Sequence, residues 1–248
     1  TLILTVATLL SKILGSVYRI PLQNIAGDEV LGIFSLVYPV YMVALYLSVA
    51  GIPLAISKLI AEANTRGETH KIHKIYRTAS ILALCFGVLS FTLIFALSGY
   101  IANMLGGPTS QFALIVVAMT LLVAPYMAVY RGFFQGFGDM KPTAISQVIE
   151  QFVRATLIIG IAIVLVKLDY SNEIVAGGVM FGSIIGVIGS LVYLRMKYRK
   201  SPHKVKKSDT YTADNFKQYS GTILKISIPI AIGSVTMALF NFVDSFTI

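Results

Sequence analysis

Lys12 and Arg19 are the residues best placed to do chemistry, because they sit in the apolar segment from Thr1 to about Ile25, which is long enough to cross a bilayer. Seven residues apart, they project from nearly the same helical face, about 10 Å apart along the axis. The same period aligns Thr5, Thr8, Lys12, Ser16, Arg19 and Gln23 in one polar stripe, and the other faces are Leu, Ile, Val and Ala. Ionisable groups at membrane depth are costly and usually face a bundle interior or a wet cavity. The stripe is therefore expected to wall an anion-attracting pathway, with Lys12, Ser16, Arg19 and Gln23 as candidate substrate-binding residues. The competing expectation is that the cations snorkel to the headgroups. That suits Arg19, near the end of the span, better than Lys12 near its middle.

Two further constellations lie in apolar segments. Gln147, Glu150, Gln151 and Arg154 share one helical face, and Glu150 precedes Arg154 by four residues, the favourable order for an intrahelical pair. Counted from Pro142, Arg154 is about 18 Å along its helix. The pair serves either as a neutralised contact between helices or as part of a cavity. Asn241 and Asp244 lie on neighbouring turns near the end of the chain. An aspartate at that depth calls for a cationic partner, for which Lys12 and Arg19 are candidates, or else it carries a proton.

Other chemistries lack their residues. There is no nucleotide-binding loop, no nucleophile arrangement of His and Cys, and no cluster with metal-ligand spacing. His70 and His73 share a basic loop and are expected to be solvated. The single cysteine, Cys85, lies in an apolar span and has no intramolecular partner for a disulfide. Neither a metal nor an organic cofactor is expected, and the residues do not specify a coupling ion. Polar groups spread over several helices at membrane depth suit a carrier rather than an enzyme.

The elements that must hold these groups follow from composition. Hydrophobic residues make up 56% of the 248 and charged residues only 12%, with mean hydropathy +0.80. Soluble domains are about a quarter charged, so this is an all-α integral membrane protein. Hydropathy marks six complete spans and part of a seventh: about 1–25, 30–61, 78–103, 111–135, 143–167 and 174–196, then a segment after a basic linker at 197–218. This divides the chain into a six-helix lobe with its linker (1–218) and the beginning of a further helix (219–248). The second span is too long for one straight crossing and contains Pro39 and Gly51-Ile52-Pro53. It is expected to be kinked or broken, with Gly51 and Pro53 acting as a hinge or merely aiding packing. Gly178, Gly182 and Gly186 in the sixth span let another helix approach closely.

Loop charge sets the expected orientation. The 62–77 stretch carries Arg66, Lys71, Lys74 and Arg77, and 195–217 carries a further basic run, whereas 24–29 and 103–111 have no Lys or Arg. The positive-inside rule places these basic stretches and the N-terminus in the cytoplasm. The net charge of +9 is thus mostly topological and does not point to nucleic acid. The juxtamembrane cluster also suits contact with anionic membrane lipids. The chain starts without Met, in mid-span, and stops in mid-span, as expected of part of a longer protein.

Three stretches carry a resemblance that covers most of the chain. They are Ser11-Lys12-Ile13-Leu14-Gly15 through Tyr18-Arg19-Ile20-Pro21-Leu22, then Leu36-Val37-Tyr38-Pro39 with Ala50-Gly51-Ile52-Pro53-Leu54-Ala55-Ile56-Ser57-Lys58, then Arg131-Gly132-Phe133-Phe134-Gln135-Gly136 continuing from Lys141-Pro142 to Glu150-Gln151. The sequence resembles the multidrug/oligosaccharidyl-lipid/polysaccharide (MOP) exporter superfamily, in its lipid II flippase and stage V sporulation protein B branch. The resemblance implies a MATE-like transporter of two six-helix lobes, with this chain forming the N-terminal lobe and the start of helix seven. It implies a non-enzymatic flippase, moving lipid II, an undecaprenyl-diphosphate-linked peptidoglycan precursor, to the outer leaflet by alternating access. Alternatives are export of another lipid-linked polysaccharide unit or cation-coupled drug export, and from other classes a membrane glycosyltransferase or a wall-synthesis scaffold. The implied setting is a bacterial plasma membrane, with a monomeric transporter beside the cell-wall synthesis machinery. In the flippases, first-helix arginines are thought to meet the diphosphate. Lys12 falls on the first of these and Tyr18 on the second, with Arg19 one residue later.

Overall fold

The computed structural model describes residues 2–49, 51–105, 107–204 and 211–247, except the side chains of 2 and of 237–247. The described residues form helices α1 (Leu2–Val17), α2 (Arg19–Val49), α3 (Ile52–Thr65), α4 (Thr69–Met104), α5 (Gln111–Ala118), α6 (Thr120–Gly136), α7 (Lys141–Lys167), α8 (Asn172–Lys200) and α9 (Ala213–Thr247). A 3-10 turn, Pro108–Ser110, leads into α5. No strand occurs among the described residues, and five stretches are long and apolar enough to cross a membrane.

The first of these stretches, Ile3–Thr65, folds back on itself at Gly27, whose φ of 82° is open to glycine and strained for other residues. Tyr18 packs edge-on against Phe34, with ring centroids 5.9 Å apart, and Lys12, Gly15 and Ser16 face the same cavity as Tyr38. Both pairings centre on residue 26, so the segments before and after Gly27 run antiparallel. Five apolar stretches thereby give the six expected crossings.

The structure departs from the sequence expectations at four places. The expected unbroken helix from 1 to 25 is interrupted at Tyr18. Pro21 supplies the reason: it has no N–H, and its ring opposes the carbonyl of Val17, four residues earlier. The expected loop at 62–77 shrinks to a turn at 66–68, where Gly67 has φ 69° and Lys71 pairs with Glu68 at 3.0 Å. His70, Lys71, His73, Lys74 and Arg77 therefore stand on α4. The fourth span divides into α5 and α6 at Met119, while Pro125 stays inside α6. Finally, α9 begins at Ala213, so the boundary expected at 218 falls within its first turns.

The second span is broken, as expected, but at Gly51 rather than at Pro39, which is carried within α2. Gly51 adopts φ 84°, and Pro53 opens α3 where a missing N–H costs nothing. Helix α9 rests on this break. A Cβ at residue 51 would lie 2.5 Å from the Ser227 carbonyl oxygen.

The glycine ladder of α8 forms the tightest seam. A Cβ on Gly186 would meet the Glu150 carbonyl oxygen at 2.7 Å, and one on Gly182 the Arg154 carbonyl oxygen at 3.1 Å. Two apolar cores flank the seam. One joins Tyr18, Leu22, Phe34 and Val37 to α5, α7 and α8, and the other joins α3, α4 and α6 through Ile56, Ile60, Ile75 and Phe133. Outward faces are apolar too, including Ile3, Val6, Leu9, Leu10, Ile13 and Val17 on α1. An apolar exterior of this extent identifies a multi-pass membrane protein.

Gly186→Val is expected to open the α7–α8 seam and abolish a monodisperse, folded protein in detergent. Gly160→Ala meets no atom within 4 Å and is expected to hold or raise stability, by roughly 0.5–1 kcal/mol from reduced backbone freedom. Size-exclusion profiles and thermal melts of the two variants check this.

Candidate functional site: a polar cavity between α1 and α7

A cavity of about 430 Å³ opens between α1, α2, α6 and α7, lined by Thr8, Ser11, Lys12, Gly15, Ser16, Tyr38, Arg131, Gln147, Glu150 and Gln151. Its α1 wall reproduces the middle of the polar stripe. Thr8 donates to the Gln147 side-chain oxygen at 3.3 Å and to the Leu4 carbonyl at 2.8 Å, tying α1 to α7. Lys12 is exposed toward the opening and has no ion-pair partner among the described residues. Ser16 donates to the Lys12 carbonyl at 3.0 Å, and the hydroxyl of Ser11 is buried without a partner among the described residues.

The opposite wall is an ion network. The Glu150 carboxylate bridges two guanidiniums: Arg154 Nη2 donates to Oε1 at 2.9 Å, and Arg131 Nη2 donates to Oε2 at 2.8 Å. Arg131 is fixed further, its Nη2 reaching Ser190 at 3.2 Å and its Nε reaching Ser146 at 3.0 Å. Side-chain exposures of 15% for Arg131, 12% for Glu150 and 7% for Arg154 place the network out of bulk solvent. Charge-assisted contacts of this kind are among the stronger polar interactions. Along the lining, Lys12 and Arg131 face one carboxylate, a formal surplus of one positive charge, and the buried Arg154 behind Glu150 raises the surplus of the whole network to two.

The expected residues are not all brought together. Lys12, Ser16 and Glu150 line the cavity, and Arg154 stands behind Glu150. Arg19 does not line it, and the α1 lining ends at Ser16. Tyr18 itself is buried against Phe34. Gln23 also lies outside the cavity and donates to Asp28 at 2.8 Å, across the Gly27 turn. Gly51 and Pro53 sit at the α2–α3 break, away from this lining. Asn241 and Asp244 have side chains outside the described residues. No group of three or more His, Cys, Asp or Glu that could hold a metal occurs among the described residues.

Arg131 is the residue that sequence reasoning missed. Its signal was nevertheless present: a lone arginine inside the fourth apolar span, followed directly by Gly132. Gly132 lets α3 approach, since a Cβ there would lie 2.7 Å from the Pro53 carbonyl oxygen. Ser190 extends the series Gly178, Gly182 and Gly186 by one more four-residue step and brings its hydroxyl to Arg131.

The described residues thus form a bundle of membrane-crossing helices around a polar cavity with surplus positive charge. The family model described as polysaccharide biosynthesis protein matches residues 1–248, and the chain belongs to that family. It is 29% identical, over its whole length, to the lipid II flippase MurJ of Bacillus subtilis, covering 48% of that protein. It is 33% identical over 92% of its length to stage V sporulation protein B of the same organism, covering 44% of it. The chain thus spans about half the length of the curated relatives it matches. Among solved structures it is similar to a MATE transporter in the straight conformation, with TM-score 0.79, 15% identity, and coverage of 97% of this chain and 53% of that one. It is also similar to a MOP superfamily transporter from Pyrococcus furiosus described as having a binding pocket of reverse polarity, with TM-score 0.76, 16% identity and coverage of 97% and 53%. The fold is that of one MOP lobe.

Arg154→Met removes a buried charge-assisted contact and is expected to lower stability by about 1.5–3 kcal/mol. Lys12→Met alters an exposed group and should leave the thermal midpoint within error. Melts of both variants in one detergent separate the structural cation from the exposed one.

Proposed function

We propose that the full-length protein carrying this chain is a flippase that moves lipid II, an undecaprenyl-diphosphate-linked peptidoglycan precursor, from the inner to the outer leaflet. The observation that supports this most strongly is the cavity's surplus of positive charge at membrane depth. A diphosphate concentrates negative charge, and fixed cations in a partly dehydrated site bind it through charge-assisted hydrogen bonds. The polyprenyl tail can stay in lipid while the headgroup passes through the cavity. Lys12 and Arg131 provide the cationic walls, Ser16, Gln147 and Gln151 offer neutral hydrogen bonds, and Arg154 holds Glu150. The cation surplus disfavours an exporter of cationic drugs.

The orientation follows from charge. Tyr76 on α4 stacks on Tyr198 of α8 with centroids 5.1 Å apart, so the basic stretches around 71–77 and 195–200 share one end of the bundle. We place that end, and with it the N-terminus, on the cytoplasmic side of a bacterial plasma membrane. The protein acts there as a monomeric carrier beside the wall-synthesis machinery. A second reading, export of another undecaprenyl-linked polysaccharide unit, is favoured by the description of the family, and the cavity would serve it by the same chemistry.

Growth of a bacterium depleted of its own lipid II flippase tests the proposal. The full-length protein should restore growth, Lys12→Ala at equal membrane abundance should not, and Arg19→Ala should, because Arg19 stands outside the cavity. No rescue by abundant wild-type protein would overturn lipid II as cargo in favour of the second reading.

A further inference from the structure

Glu150 occupies both of its carboxylate oxygens with arginines, yet only one of those arginines lines the cavity. Arg131 and Glu150 both face the opening, whereas Arg154 is nearly fully buried behind them. The carboxylate thus takes an Arg131 donor that a phosphate entering the cavity would compete for. We propose that Glu150 is a built-in competitor for the anionic ligand: a phosphate group entering the cavity displaces the carboxylate from Arg131, and Glu150 stays paired with Arg154. This deepens the flippase reading and rests on it, since it names the second cation that meets the phosphate and the internal group that must yield.

Three features carry the inference. First, Arg131 does not need Glu150 to hold its position. Its Nε is bonded to Ser146 at 3.0 Å and its Nη2 to Ser190 at 3.2 Å, so α7 and α8 keep the guanidinium in place when the carboxylate leaves. Second, Ser146 is itself anchored, donating to the Thr143 carbonyl at 2.7 Å, and Thr143 donates to the Arg131 carbonyl at 3.3 Å. The cradle closes on both the backbone and the side chain of Arg131. Third, displacement does not strand the carboxylate, because Arg154 bonds the other oxygen at 2.9 Å. An uncompensated buried charge would cost several kcal/mol, and the second arginine avoids that. The site can therefore exchange one anion for another without leaving a lone ion in the membrane interior.

The exchange also has a mechanical consequence. Empty, the Arg131–Glu150 contact joins α6 to α7. Occupied, that contact is replaced by a bridge from Arg131 through the phosphate to Lys12 on α1. Binding would then add a cross-link from α6 to α1 while Ser146 and Thr143 keep Arg131 tied to α7, a differential interaction between states of the kind any ligand-driven change requires.

The test measures binding of farnesyl diphosphate, a soluble probe for a polyprenyl diphosphate, to the full-length protein in nanodiscs. Glu150→Gln removes the competing charge and should bind the probe roughly tenfold more tightly, the scale of one charge-assisted hydrogen bond. Arg131→Gln should weaken binding by a similar factor and abolish the effect of Glu150→Gln in the double variant. A gain in affinity cannot come from misfolding. If Glu150→Gln does not reach the membrane, Glu150→Asp carries the same test, because its shorter side chain cannot bridge both arginines and should also bind more tightly. Binding that depends on Lys12 but is unchanged or weakened in the Glu150 variants would overturn the competitor role and keep the diphosphate site. No saturable binding by wild type or Glu150→Gln would overturn both.

Discussion

A carboxylate shared between two arginines, inside a helical bundle whose exterior is apolar, is the contact around which the cavity is built. Each ion would be expensive alone at that depth. Together the three form a unit in which every charge has an opposite neighbour, and two serines take up part of the remaining hydrogen-bonding capacity of Arg131. The unit draws on three helices: α6 supplies Arg131, α7 supplies Ser146, Glu150 and Arg154, and α8 supplies Ser190. It survives only where these helices approach closely. Glycine provides that approach, with Gly186 seated against the Glu150 carbonyl and Gly182 against that of Arg154. Packing and electrostatics are the same problem here, because small residues on one helix make room for large charged ones on the next.

The helix breaks decide what faces the cavity. Pro21 interrupts the hydrogen bonding of the first span at Tyr18, and the cavity wall on α1 ends at Ser16, short of Arg19. Gly27 reverses the chain, which brings Tyr38 opposite Lys12. Gly51 separates α2 from α3 and receives α9 against its backbone, linking the break to the last helix of the chain. Under the proposed alternating access, these breaks would be the places to absorb backbone change between packed segments.

Much of this was legible in the residues. The apolar spans, the glycine seam of α8, the tolerance of Pro142 at the start of α7 and the pairing of Glu150 with Arg154 all follow from spacing and side-chain type. A kink or break in the overlong second span was legible as well, but the residues offered both Pro39 and Gly51-Ile52-Pro53 as its place. Two features needed three dimensions. Helical periodicity assumes an unbroken helix, so it carried the polar stripe through Tyr18 to Arg19 and Gln23. Arg131 lies nineteen residues from Glu150 and fifty-nine from Ser190, and local spacing does not pair residues on different helices. Its functional candidacy emerges only when α6, α7 and α8 are brought together.

The central claim is that the α1–α7 cavity is open to water and holds the phosphate portion of a lipid-linked substrate. Ser16→Cys in the full-length protein, with Cys85 replaced by alanine, places a single described thiol on the cavity wall. Its rate of modification by a membrane-impermeant thiol reagent, with and without farnesyl diphosphate, is the most direct measurement. The account predicts ready labelling that slows as the diphosphate is added, and loss of that protection when Lys12 is also changed to alanine. A thiol that is inert to the reagent, or is labelled at the same rate with and without the diphosphate, would contradict it.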